Sequence, residues 1–129
     1  MKKIAVPAFF CVIITILSIN LSSQSGNYPK AKNLYEQFLA TNIPDEKISI
    51  LEEISAISPD SEYGLFAKGY IYYRKKDFIK AAEYYTEAIK INPALAYIHY
   101  SRGICRTELN DLYGALEDYN KTIELESLN

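Results

Sequence analysis

Apolar residues recur along this chain at the period of a helix. From Phe78 to Ile91 the segment AAEYYTEAIKI sets Ala81, Tyr85, Ala88 and Ile89 on one face, with charged residues between them. That i, i+4, i+7, i+8 spacing is the stripe of an amphipathic helix. Asn92–Pro93 ends the stretch, because proline disfavours helix at the residue before it. A second helix is predicted just upstream, from about Glu62 to Lys75, interrupted only by Gly69, and Lys76–Asp77 reads as a polar turn between the two. The layout then recurs, with helix from Ala96 to Leu109, a turn at Asn110–Asp111, and helix from Leu112 to Leu125.

The recurrence has a fixed register. Pro59 and Pro93, Gly69 and Gly103, Ala81 and Ala115, Tyr85 and Tyr119, and Ile89 and Ile123 are each 34 residues apart. Scarce glycine and proline among these identities make chance a poor explanation, and a period of this length marks stacked supersecondary units. Two helices joined by a tight turn pack antiparallel. A mid-helix glycine costs ~1 kcal/mol against alanine, so Gly69 and Gly103 are read as points of close approach, with Ala81, Ala88 and Ala115 giving room from the facing helix.

The N-terminal residues follow a different pattern. Lys2 and Lys3 precede an uncharged run, Ile4 to Ile19, and small polar residues follow. Basic, apolar, then small is the order of a secretory signal peptide. The run is shorter than the ~20 residues that a spanning helix prefers. Residues 1–23 are therefore predicted to be a signal peptide cleaved near Ser23–Gln24, with residues 24–27 a loose leader, which makes the protein periplasmic or secreted. The competing reading is an uncleaved inner-membrane anchor over residues 4–21. Cys11 lies inside the apolar run behind Phe9 and Phe10, which excludes lipidation there. Loss of the signal leaves Cys105 alone, so a mature monomer has no internal disulfide.

The two units resemble the tetratricopeptide repeat. From Glu62, the family's large residue, Leu, Gly, Tyr, Ala, aromatic, Ala and Pro fall on Leu65, Lys68, Gly69, Tyr72, Ala81, Tyr85, Ala88 and Pro93, with Lys68 the one departure. From Ala96 they fall on His99, Arg102, Gly103, Arg106, Ala115, Tyr119, Thr122 and Ser127, departing at Arg102, Arg106, Thr122 and Ser127. A degenerate unit fits upstream from Tyr28, keeping Leu34, Phe38, Leu51, Ile54 and Pro59 but placing Tyr35 and Lys47 where Gly and Ala are usual. Its helices are predicted over about Lys30 to Ala40 and Asp45 to Ile57, with Asp45 as N-cap. The resemblance implies an all-α right-handed superhelix of antiparallel helix pairs, with about three repeats at 28–61, 62–95 and 96–129, of a small exported bacterial type.

In the family, one stripe of each unit's first helix lines a concave face that holds a partner. Here that stripe is Tyr63, Phe66, Tyr70, Tyr73 and Arg74 in the middle unit, with Tyr97 and Tyr100 leading the last unit's. Leu65, Gly69 and Tyr72 already supply a packing stripe on the middle helix, so the aromatics are predicted to form a groove for a protein or peptide. The alternative is that they complete the core. Some family members clamp the C-terminal carboxylate of heat-shock chaperones with basic and Asn side chains. The matching residues here are Lys32, Glu36, Ala67, Tyr97 and Ser101, of which only Lys32 fits.

Little else suggests chemistry. The chain has one histidine, His99, without a metal-ligand partner at a suitable spacing, and Cys105 takes a small packing position. No catalytic residue, metal or cofactor is predicted, so the chain is not read as an enzyme. A net charge of -2 gives no bulk field for nucleic acid. Glu52–Glu53 and Glu117–Asp118 read as solvated faces. The sequence stops at Asn129, straight after the last predicted helix, and part of that helix's apolar set is expected to stay uncovered. Leu116, Ile123 and Leu125 are the candidate edge for a homodimer or a partner, and a self-associating structural subunit is the rival to the binding module.

Overall fold

The computed structural model describes residues 26–128. The predicted signal segment and the first residues of the predicted leader lie outside them. Residues 26–40 are helical and are called α1. Five helices follow: α2 (Pro44–Ile57), α3 (Glu62–Arg74), α4 (Phe78–Ile91), α5 (Ala96–Glu108) and α6 (Leu112–Ser127). No strand occurs among the described residues. Helices α2 to α6 each pack on their neighbours in sequence, and α1 joins them through Asn27 and Lys30 to α2 and Phe38 to α3, so three antiparallel pairs stack into an all-α solenoid.

The two 34-residue units close in the same way. Lys76 and Asn110 both sit at φ 62°, in the left-handed region. In the first turn Lys76 N donates to Tyr73 O and Asp77 N to Tyr72 O; in the second Asn110 N donates to Thr107 O and Asp111 N to Arg106 O. This pair of bonds satisfies the last carbonyls of a helix and reverses the chain. Asp77 and Asp111 then cap the next helix, accepting from Lys80 N and Gly114 N. One aspartate thus ends one helix and starts the next, which is why both hairpins have a three-residue turn.

The glycines act as predicted by close approach. A Cβ at Gly69 would lie 2.6 Å from the Tyr85 ring, and one at Gly103 would lie 2.7 Å from the Tyr119 ring. In the first unit the bulk is exchanged: buried Tyr35 stands at the glycine station and the smaller Leu51 at the tyrosine station.

Two boundaries differ from expectation. Gly26 and Asn27 belong to α1, not to a loose leader, because Asn27 Nδ2 donates to Ile57 O at 3.0 Å and ties this part of α1 to the end of α2. Asp45 is not the cap of α2. Pro44 opens that helix and Ile43 takes the cap position without a side-chain bond, since proline's fixed φ and missing N–H suit the first helical position.

The core runs along the stack as an aromatic column. Tyr35 packs edge-on against Phe66 at 5.1 Å between centroids, Phe38 against Phe66 at 5.2 Å, and Phe66 lies stacked on Tyr85 at 5.8 Å. Glu62, buried at the start of α3, accepts from the Tyr28 hydroxyl of the first unit and from Asn92 Nδ2 at the end of the second. It therefore fastens three consecutive segments together.

Candidate partner-binding face

α1, α3 and α5 are the first helices of their units, and the predicted stripe runs along the last two. Tyr63 is 2% exposed and Phe66 is fully buried. These two are core residues, which corrects their assignment to the groove. Their rings are taken up by the first unit: Tyr63 packs on Tyr28 and Tyr35, and Phe66 on Tyr35 and Phe38. The stripe is tilted across the helix, so its N-terminal half meets the preceding unit and its C-terminal half emerges.

The emerging half is accessible. Tyr70, Tyr73 and Tyr97 are half-buried, while Arg74 and Tyr100 are exposed. Phe38 of α1 holds Tyr70 and Tyr97 edge-on, at 5.3 and 5.9 Å. Tyr70 leans on Tyr73 at 6.1 Å and Tyr97 on Tyr100 at 6.0 Å. The result is one continuous tyrosine surface, fixed from below by packed rings. Tyr70 and Arg74 also border a depression of about 450 Å³ whose other wall is Ile48, Leu51 and Glu52 of α2.

The Tyr73 and Tyr97 phenols are held in their protonated, donor form. Burial raises the pKa of Tyr97, and burial followed by the neighbouring Cys105 and Glu108 raises that of Tyr73. The Tyr35 hydroxyl, buried nearby, finds no hydrogen-bond partner among the described residues. Its pKa is raised by burial and then by the phenols of Tyr97 and Tyr63. Charge on the face is sparse and mixed, with Lys32 and Glu36 of α1 paired at 3.9 Å and exposed Arg74 and Glu108 at the ends of α3 and α5. A surface of rigid rings with polar tips offers contact area at low entropy cost.

The positions matching a carboxylate clamp are not suited to one. Ala67 is fully buried, Tyr97 is held in the ring column, and Ser101 is buried with its hydroxyl donating to Tyr97 O at 2.8 Å.

His99 and Cys105 are interior. His99 is 5% exposed and its Nε2 donates to Pro93 O at 2.9 Å. The Cys105 thiol is buried, which pushes its pKa up to about 11 and leaves it a poor nucleophile at neutral pH. Among the described residues no three His, Cys, Asp or Glu side chains converge as a metal site. No described helix is long and apolar enough to cross a membrane.

Sequence reasoning missed one cluster. Asp118, read as part of a solvated face, is 2% exposed. Its carboxylate accepts from Arg102 Nη2 at 2.7 Å, Arg102 Nε at 3.0 Å and Arg106 Nη1 at 3.0 Å. Arg102 also donates to Thr86 Oγ1 of α4 at 3.1 Å, and Arg106 to Gly114 O at 3.0 Å. The two departures from the repeat pattern, Arg102 and Arg106, are therefore one feature. Their spacing of four places them on one face of α5, which is the signal that pointed to a single acid opposite.

The edge residues divide. Leu116 is 56% and Ile123 65% exposed, whereas Leu125 is half-buried on the inward side of α6. Leu125 is therefore removed from the exposed edge: two residues past Ile123 is ~200° around a helix.

Comparison with known proteins agrees with this geometry. Residues 62–95 match the tetratricopeptide repeat model. Stress-induced-phosphoprotein 1 of Caenorhabditis elegans is 30% identical over 83 residues, which is 64% of this chain. The chain spans 26% of the length of that curated relative. Among solved structures, the chain is similar to the first TPR of Spaghetti (RPAP3) bound to the HSP90 peptide SRMEEVD, with TM-score 0.55 and 23% identity over 84% of this chain and 82% of that one. The second TPR of the same protein, with the same peptide, gives 0.54 and 16% over 82% and 94%. MamA gives 0.53 and 19% over 85% and 64%. Residues 62–95 are thus a tetratricopeptide repeat, and the helix pairs on either side share the fold of the solved TPR structures.

Proposed function

We propose that this chain is an exported interaction module that holds an extended or helical segment of another protein on its tyrosine surface. The observation that carries the reading is that Phe38 joins the Tyr70–Tyr73 pair of one unit to the Tyr97–Tyr100 pair of the next, after repeat packing has used the rest of the stripe. The related TPRs of Spaghetti bind the acidic peptide SRMEEVD. This chain has neither the basic clamp nor a net positive concave face, so its partner is an aliphatic or aromatic segment with few acids. The reading assigns no catalytic step, cofactor or metal.

The test is a paired measurement. Tyr73→Ala with Tyr100→Ala should weaken binding of a partner segment, selected from a displayed peptide library, by at least ~10-fold, while helical circular dichroism is unchanged. SRMEEVD should not compete. Loss of helicity in the double variant would assign the surface to the core, and tight SRMEEVD binding would restore a clamp-like role.

Export rests on the order of charge and hydropathy in residues 1–23. Mass spectrometry of the native protein should find a mature N-terminus close to Gln24. An intact Met1 in membrane fractions would replace export with anchoring through residues 4–21.

A further inference from the structure

α6 carries a second apolar surface, which meets the concave face only at Tyr100. Leu112, Leu116, Tyr119 and Ile123 follow one another at intervals of 4, 3 and 4 residues. That is the seam spacing of paired helices. Leu112, Leu116 and Ile123 are exposed. Tyr119 contacts exposed Tyr100 of α5 at 6.0 Å between centroids. Tyr100, Tyr119, Thr122, Ile123 and Glu126 enclose a depression of about 410 Å³ between the two helices.

The 34-residue register says what such a surface is for. Tyr100, Tyr119, Thr122 and Ile123 correspond to Phe66, Tyr85, Ala88 and Ile89 one unit earlier. There Phe66, Tyr85 and Ala88 are buried, and the covering element is α5, whose Tyr97 meets Phe66 at 5.8 Å. The depression on α5 and α6 is thus the seat of a helix, of the same kind that α5 fills on α3 and α4.

Charge selects the occupant. The exposed charges of α4 balance, with Lys80 and Lys90 against Glu83 and Glu87. α6 instead presents Glu117, Glu124 and Glu126, with Lys121 the one cation and already paired to Glu124 at 2.8 Å. At the mouth of the seat, neutral Asn92 of the earlier unit is replaced by Glu126, and exposed Glu108 ends α5. Arg102 and Arg106 are turned to the opposite side, onto Asp118. A second copy docking by two-fold symmetry would set Glu117, Glu124 and Glu126 against themselves. Head-to-tail stacking would place the seat against α1, whose outward residues Lys30, Asn33 and Gln37 are polar and exposed. We infer that the α5–α6 face docks an amphipathic helix of a partner protein, with an aliphatic stripe for the Leu112–Ile123 seam and lysine or arginine on its flanks for the glutamate rim.

Two synthetic helical peptides of about four turns test this. Both carry Leu and Ile at every third and fourth position; the remaining positions are Lys in one and Glu in the other. Titrated into the full chain and followed by fluorescence anisotropy, the Lys peptide should bind at least ~10-fold more tightly than the Glu peptide, with the margin shrinking at about 0.5 M salt, where charges are screened within a few ångströms. Ile123→Glu should weaken the Lys peptide ~10-fold although it adds negative charge, which separates seating from general attraction to an acidic protein. Glu126→Lys, at an exposed site, should reduce the preference without disturbing the fold. Tyr73→Ala, on the concave face, should change neither peptide's affinity. Equal affinities for the two peptides, or tighter binding after Ile123→Glu, would overturn the proposal. So would a concentration-dependent dimer in light scattering that Ile123→Glu dissolves, since a second copy would then fill the seat.

Discussion

Between α3 and α4, Tyr72 lies stacked on Tyr84 with ring centroids 5.4 Å apart, and Leu65 packs against the same core. Thirty-four residues later the same stations hold Arg106, Asp118 and His99. Lys68, half-buried and 4.0 Å from Asp60, becomes Arg102. The backbone is indifferent to the exchange: both hairpins keep the left-handed turn residue, the capping aspartate and the glycine under a tyrosine ring. What changes is the kind of fit demanded. An apolar patch needs shape, and its loss is graded. A buried carboxylate needs every lone pair answered, and here two guanidinium groups answer it. His99 Nδ1, buried 3.7 Å from Asp118, has no hydrogen bond of its own. The ionic hairpin is thus the more selective of the two in what it will accept, and not necessarily the more stable, because desolvation offsets much of the attraction between buried charges.

The largest expected effect breaks this cluster from one side. Asp118→Ala would leave Arg102 facing the interior without a carboxylate and Arg106 with only Asp111, at 3.7 Å, and should destabilise the protein by ~3–5 kcal/mol, read as a lower midpoint in urea. Exchanging the whole cluster for the middle unit's residues, with His99→Leu, Arg102→Lys, Arg106→Tyr and Asp118→Tyr together, should return stability to within ~1 kcal/mol of the native chain or above it. If the fourfold variant is as unstable as Asp118→Ala, the register does not make the two hairpins interchangeable.

A smaller effect compares the glycines. The Tyr85 ring above Gly69 is 1% exposed and cannot yield. The Tyr119 ring above Gly103 is half-buried, with its hydroxyl near Thr107 Oγ1 at 3.1 Å in an exposed pairing. Gly69→Ala should therefore cost ~1–3 kcal/mol from overpacking. Gly103→Ala should cost less, because Tyr119 can swing outward and alanine restores ~1 kcal/mol of helix propensity. Urea denaturation of the two variants side by side gives the order, and equal losses would show that Tyr119 is as fixed as Tyr85.

These comparisons mark where the sequence stops being informative. Register, helix limits from Glu62 onward, both turns and the two glycine contacts follow from local rules: periodicity of 3.6, proline exclusion, and the cost of mid-helix glycine. The helix limits and turns depend on residues a few places apart, and the glycine contacts on the 34-residue register, so all of them can be read along the chain. The helical state of Gly26 and Asn27 could not be, because Asn27 is held by a carbonyl 30 residues away. The division of the tyrosine stripe had the same cause. Spacing puts Tyr63, Phe66, Tyr70 and Tyr73 on one line, but the contact of α1 with α3, made by Tyr35 and Phe38, decides which rings are covered. Asp118 shows the limit most clearly. Its neighbour Glu117 is exposed and Asp118 is buried, one step of ~100° apart on the helix. Helical period determined that the two acids face different ways. Only the packed structure, by setting α5 with its two arginines on one side of α6, decided which of them is interior.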